Sequence, residues 1–291
     1  MQKEIIDRNL KIGRDVSIGS NFKFGENVVI ESGAIIGDNV TIDHGSIIRR
    51  GVSIGSNSFI GSNSILGERI ASRIKDLSGE IDPQILEIGS DSIIRSGSIF
   101  YEGTKIGDHF QSGHNIVVRE GNSIGSHVSL GDFCDVQTEV RIGNYVRCHS
   151  NDRIESLSVI DDFVWLAPMV ELTNDPTPPS ENLVGIHVES FAVVCAGSII
   201  VGGSKIGKDS LVASGAIVTH DVEEYQLVAG IPARVIGDVR NIKNKFTGEN
   251  QYPWREHFFR YMPWDKIGFK KWEELQMNKC KASNSGGGAN L

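Results

Sequence analysis

From Ile12 onward an apolar residue returns every six positions, through Ile18, Phe24, Ile30, Ile36, Ile42, Ile48, Ile54 and Ile60 to Leu66. The run restarts at Ile88 and holds the same step to Leu172, and a third run goes from Val188 to Val218. Of thirty-one such heads only Ser112 is polar. Four residues after most heads stands a small or β-branched side chain, such as Val16, Ala34, Val40 or Ser58. A period held this long marks a solenoid. Short strands point alternate residues to the same side, so each head and the fourth residue after it face inward together. Between them the chain turns a corner, where Gly, Asn and Asp tolerate the required backbone. Three hexads close one triangular turn of eighteen residues, and stacked turns lie about 4.8 Å apart. The pattern therefore predicts an all-β parallel β-helix of roughly ten turns, with residues eighteen apart forming columns.

Two segments break the period: a polar insertion at 67–87 and the Pro-rich stretch TNDPTPPSENLVGIH at 173–187. Loops thrown out of a solenoid commonly carry its specificity. The first enters just before the middle turns and is expected to cover an acceptor site. The organisation expected is a β-helix over 1–237, an aromatic and charged segment at 238–278 that reads as short helices, and a disordered tail at 279–291.

Composition narrows the function. A net charge of −8 with no dense basic block speaks against nucleic acid or an anionic membrane as partner. No apolar run approaches the ~20 residues that span a bilayer, and MQKEIIDRNLKIG does not read as a signal peptide. Four cysteines without CxxC spacing read as reduced thiols, and the expectation is a cytoplasmic protein. Gly at 33 residues and aromatics at 7% suit a solenoid rich in corners.

Sites are expected where a sequence violates its own pattern. Ser112, the polar head, opens FQSGHNIVVRE (110–120), and Asn122 and Asp152 are polar at the inward fourth position. Asn115 and Asn151 fall in one column with Phe133 between them, and His114, Asp132 and Ser150 form the next. His114 is the candidate base of this cluster, against the plainer reading of a corner histidine bonded to backbone. Arg119 and Glu120 read either as substrate contacts or as a surface ion pair. Asp135, Arg153 and Glu171 read as a structural charge ladder. His109 and His114, five apart, and His127, one turn beyond His109, are zinc ligands by type, which raises a metalloenzyme of the γ-carbonic-anhydrase type. The position where that fold places its third histidine is Arg73.

Over about 98–240 the chain resembles the hexapeptide N-acyltransferases of nucleotide-linked amino sugars. The resemblance rests on SIFYEGTKIGDHFQSGHNIVVRE (98–120), RCHSNDRIE (147–155), DDFVWLAPMVELTNDPTPPS (161–180) and VAGIPARVIG (228–237). It is nearest to enzymes acting on dTDP-amino-dideoxyhexoses of the viosamine and anthrose type. It implies a left-handed coil, a homotrimer with sites between subunits, acyl-CoA (acetyl-CoA first) as cosubstrate, no metal, and a dTDP-linked 3-amino or 4-amino sugar as acceptor. On this reading His114, Asn115 and Asn151 are catalytic, and Arg119, Glu120, Asp132 and Asp152 bind the sugar. CoA falls to Trp165, Ala167, Ala196, Gly197, Ala213, Ser214 and Arg234. The proton of the acceptor amine goes to His114 or to the departing CoA sulfur. The competing readings are a hexapeptide acetyltransferase with a non-sugar acceptor, the metalloenzyme, and a non-catalytic scaffold.

Overall fold

The structure, a computed structural model, describes residues 9–70, 72 and 84–285, with side chains given up to residue 279. The chain is an all-β left-handed parallel β-helix of about eleven turns with one C-terminal helix. It divides into the units Met1–Ile236 and Gly237–Leu291.

The strands stack into three faces of eleven, ten and twelve strands, here A, B and C, parallel up to the strand Gln226–Gly230. Each of the thirty-one heads ends or lies within its own short strand, from Lys11–Ile12 to Ile217–Val218. Register steps by eighteen along each uninterrupted run, as in Val117↔Asp135 and Asp135↔Arg153 on face A. The extra turn comes from Val222, which bridges Ile206, and from the strand Gln226–Gly230 on face C. Val222 follows Val218 by four residues rather than six, so it escapes a six-residue count.

The core is the stack of heads and fourth residues. Ile30, Ile42, Ile60, Phe100 and Val136 are buried, with Val28, Val40 and Val128 beside them. Burying one such side chain stabilises by about 1.5–3 kcal/mol. Inward serines are satisfied by corner carbonyls: Ser98 Oγ donates to Arg95 O at 2.7 Å and Ser198 Oγ to Cys195 O at 2.8 Å. Corner residues adopt the left-handed conformation, for which Asn is the best residue after Gly. Asn21, Asn39 and Asn57 do so and link their carboxamides along one edge at 3.0 Å.

Both insertions leave at the edge between faces A and B. Buried Glu102 pins the first, accepting from the backbone N–H groups of Ile70 at 3.4 Å and Gln84 at 3.2 Å. Most of its length, and Arg73 with it, lies outside the described residues. The second is tied internally by Asp175, which accepts from Thr177 N, Ser180 N and Ser180 Oγ. In the second unit, Trp264 is buried among Trp254, Phe269 and Trp272, and its Nε1 donates to Phe258 O at 3.0 Å. The α-helix Phe269–Ser285 runs past position 279, and residues 286–291 lie outside the described residues.

Candidate active site

A groove of about 440 Å³ opens where face C turns into face A. That volume lies in the range of small-molecule sites. Its floor is backbone, because the corner column running from Arg95 to His149 has Gly113 and Gly131 between them. A Cβ at Gly113 would stand 2.2 Å from Asp132 N, and one at Gly131 would stand 2.4 Å from Ser150 N. Only glycine fits, and two successive turns add no side chain to the lining at this column. Gln111, Ser129 and Arg147 form the face C wall, and His114, Asp132 and Ser150 form the other.

Ser112 is fully buried and takes over part of the strand ladder. The backbone N–H of Arg95 donates to Ser112 Oγ at 2.8 Å instead of to a strand carbonyl. The Ser112 carbonyl is thereby released and accepts from the Arg95 guanidinium. The register accordingly contains Ile93↔Gln111 alone at this step, where neighbouring steps pair two residues. The polar head thus serves to fix an arginine at one end of the groove.

His114 is exposed on the groove wall. Its backbone N–H donates to Asp132 Oδ1 at 2.6 Å. This device recurs along the coil, in Ser20 with Asp38, Ser90 with Asp108 and Asn144 with Asp162. The bond given to Asp132 is therefore to the amide of His114, which supplies a structural reason for a carboxylate in that column. Asn115 and Asn151 have φ of 55° and 63°, which also accounts for their residue type structurally. Phe133 and Met169 share that column at φ of 59° and 64°, where bulky residues are rare, and are 58% and 60% exposed.

Asp152, read as a sugar contact, points into the core at 1% exposure and cannot touch a ligand in the groove. One oxygen accepts from Val170 N at 2.9 Å and Oδ2 has no partner. Burial lifts its carboxyl to about 7. The buried free thiols of Cys134 and Cys148 are pushed up by burial as well, Cys134 to about 12. Arg119 and Glu120 sit one corner further on, at the edge between A and B, and line no part of this groove. They pair through two contacts of 2.9 and 3.2 Å, with Arg119 4.8 Å above the Tyr101 ring. The charge ladder is partial: Arg153 reaches Asp135 at 3.5 Å but holds Glu155 at 2.6 Å.

The lining residues Arg95, Arg147 and His149 are among those that escaped the sequence reading. The signal was present, since His149 is the first side chain above two glycines in its column. Its ring stacks on Trp165 at 5.7 Å, and the Arg147 guanidinium lies 5.2 Å from the same indole. Burial, then the neighbouring Arg147 charge, hold the His149 imidazole below its ordinary range.

The CoA candidates fall on the same edge, in the turns beyond. Ala167 and Ala213 continue the column of Gly113, Ala196 and Ser214 that of His114, and Gly197 that of Asn115. Trp165 stands at the end of the groove on face C. Arg234 lies apart from them, exposed in the strand Ala233–Asp238 and donating to Ala233 O.

His109 and His127 lie at the other end of the face C strands, with rings stacked 4.4 Å apart at 21°. The lone pairs of stacked imidazoles lie in near-parallel planes and do not converge on one ion. Among the described residues no three His, Cys, Asp or Glu side chains group as metal ligands.

Residues 33–68 match the family of bacterial transferase hexapeptides (six repeats), and residues 10–50 match the hexapeptide repeat of succinyl-transferase. Over residues 10–68 the repeat is similar to that of the hexapeptide transferases. The bifunctional protein GlmU of Bartonella bacilliformis is 25% identical over 175 residues, which is 56% of this chain and 38% of that protein. The 2,3,4,5-tetrahydropyridine-2,6-dicarboxylate N-acetyltransferase of Staphylococcus aureus strain JH9 is 39% identical over 67 residues, 23% of this chain and 27% of that enzyme. The chain thus spans less than half the length of these curated relatives. Among solved structures, the UDP-N-acetylglucosamine acyltransferase of Bacteroides fragilis aligns at a TM-score of 0.41 and 16% identity, covering 79% of this chain and 72% of that one. A point mutant of perosamine N-acetyltransferase from Caulobacter crescentus, in complex with CoA and GDP-perosamine, aligns at 0.25 and 18%, covering 61% and 70%. No helix among the described residues is long and apolar enough to cross a membrane.

Proposed function

We propose that this chain is a CoA-dependent N-acyltransferase that acylates the amine of a dTDP-linked amino-dideoxy sugar. The observation that carries the reading is the groove with His114 on its wall, on a repeat similar to that of the hexapeptide transferases. The acceptor amine attacks the thioester carbonyl, and the tetrahedral oxyanion collapses to amide and CoA thiolate. His114 accepts the amine proton and returns it to the leaving sulfur. The groove contributes by holding amine and thioester together, which removes much of the entropic barrier. The small-residue track from Ala167 to Ser214 gives the pantetheine a path along the edge to that point. Asn115 and Asn151 flank the site as polar contacts for the sugar.

His149 is the second candidate base, favoured by an imidazole that burial and the Arg147 charge hold below its ordinary range. It stands two turns from the level of His114, about 10 Å along the axis, so one amine cannot use both. Exposed Phe133 and Met169 at strained backbone support a trimer that covers this edge with a neighbouring subunit. Sedimentation at micromolar concentration is expected to give a trimer, and an active monomer would remove that part of the reading. The activity itself is tested by mass spectrometry of dTDP-3-amino and dTDP-4-amino sugars incubated with several acyl-CoAs. One sugar gaining one acyl group is the expected result, and no acylated product from any pair overturns the proposal.

A further inference from the structure

Arg95 is held in an unusual way. Elsewhere on face C the residue after a head donates its N–H to a strand carbonyl, as Gly113 N does to Leu130 O and Gly131 N to Cys148 O. At Arg95 the Ser112 hydroxyl replaces that carbonyl, and the freed Ser112 oxygen takes a guanidinium donor. A guanidinium carries five N–H donors in a fixed fork that matches phosphate oxygens. One is spent on Ser112, and the side chain lines the groove. The two turns beyond it carry Gly113 and Gly131, which add no side chain to the groove lining between Arg95 and His149. The fixed charge of the lining is lopsided: Arg95 and Arg147 face one carboxylate, Asp132, already engaged with a backbone amide.

We infer that Arg95, aimed by Ser112, binds a phosphoryl group of the substrate and so selects phosphorylated acceptors. This rests on the acyl-transfer reading of the groove. The spacing also orders the ligand. His114 stands one turn from the level of Arg95, about 5 Å along the axis, whereas His149 is three turns away, about 14 Å. In an amino sugar the anomeric phosphate and the amine at carbon 3 or 4 are several ångström apart. A phosphate on Arg95 therefore places the amine beside His114 rather than His149.

The same phosphoryl chemistry occurs in the nucleotide of the acceptor and in CoA, so both are probed. Calorimetric titration of wild type, Arg95→Gln, Ser112→Ala and the face B control Arg141→Gln uses dTDP, thymidine and CoA. Arg95→Gln is expected to weaken dTDP at least tenfold and leave CoA unchanged, and Arg141→Gln to change neither. Ser112→Ala is expected to lower the preference for dTDP over thymidine, a ratio that a general loss of stability would not move. Weakened CoA with unchanged dTDP would place the donor's phosphate at Arg95 and overturn the selection of phosphorylated acceptors. Should Arg95→Gln melt early, Arg95→Lys keeps the charge and loses the fork; an intermediate loss supports the assignment. Unchanged affinity for both nucleotides in Arg95→Gln or Arg95→Lys overturns it. If wild type still acylates an amino sugar in that case, the acyl-transfer reading stands alone. If wild type binds neither nucleotide and forms no amide, both fall together.

Discussion

His109 and His114 stand five residues apart, at the two ends of one short strand, in opposite surroundings. His109 begins a stack that runs through His127, Tyr145, Phe163 and Phe191 with centroids 4.4 to 5.3 Å apart. Each of these residues has positive φ, and each ring covers the next. At the other corner the matching turns carry His114, Asp132 and Ser150 on the wall of a groove, and no ring ladder forms there. His127 has a ring on each face and His109 a ring on one, which makes them parts of the ladder. A histidine on the wall of a groove is available to a ligand. Residue type does not separate the two; what stands eighteen residues before and after does.

That contrast breaks most sharply by exchange. His114→Asn is expected to lower kcat by about 10²–10⁴ with little change in KM, the range of a lost general base. His109→Asn is expected to stay within about twofold of wild type in the same assay, since its position has no part in the proton transfer. Steady-state kinetics across pH checks both, and His149→Asn in parallel decides between the two imidazoles. If His149→Asn carries the loss and His114→Asn does not, the base assignment moves two turns along the edge.

The inward polar residues sharpen the same lesson. Asn122 is satisfied on both sides, accepting from Val140 N at 2.7 Å and donating to Arg119 O at 2.8 Å. Asp152 makes the matching bond to Val170 N, but its second oxygen has no hydrogen to give when ionised. Its carboxyl is raised from 3.8 to about 7 by burial, so the folded state holds the proton more tightly than the unfolded state. The contribution is fully present below pH 3.8 and is lost as pH rises through about 7. Asp152→Asn supplies a permanent donor and is expected to remove that slope. Denaturant titrations at pH 5 and pH 8 check this, and equal pH dependence in the two proteins would contradict it.

Smaller effects belong to the ladder and the surface. Tyr145→Ala removes a ring from the middle of the stack and is expected to cost about 0.5–1.5 kcal/mol per ring contact beyond the lost burial. Its kcat should be unaffected. Arg119→Gln breaks an ion pair whose side chains are 31% and 24% exposed. It is expected to cost about 0.2–1 kcal/mol, the scale of exposed pairs, without effect on acceptor binding. A rise in acceptor KM would return Arg119 to the site.

The repeat was legible in full, because every head from Ile12 to Val218 became a strand residue. The eleventh turn was not, since Val222 arrives out of step. Of the candidate site, Ser112 was legible as a violation of the pattern and His114 as the corner residue two positions after it. Arg95 and His149 were not, because each is an ordinary corner residue until two glycines are stacked between them. Asp152 misled because a polar residue inside a solenoid marks either a ligand contact or a buried cap, and sequence does not say which way the oxygen points. Asn115 and Asn151 belong to the same ambiguity, since the left-handed corner selects asparagine whether or not a sugar is bound.

The central claim is that ligands enter the groove where face C turns into face A and leave the stacked corner untouched. Histidine-selective NMR of the wild-type protein, titrated with dTDP and CoA, tests it with no mutation at all. The account predicts that the ring signals of His114 and His149 shift while those of His109 and His127 stay in place. Shifts at His109 and His127 with His114 and His149 unmoved would contradict it.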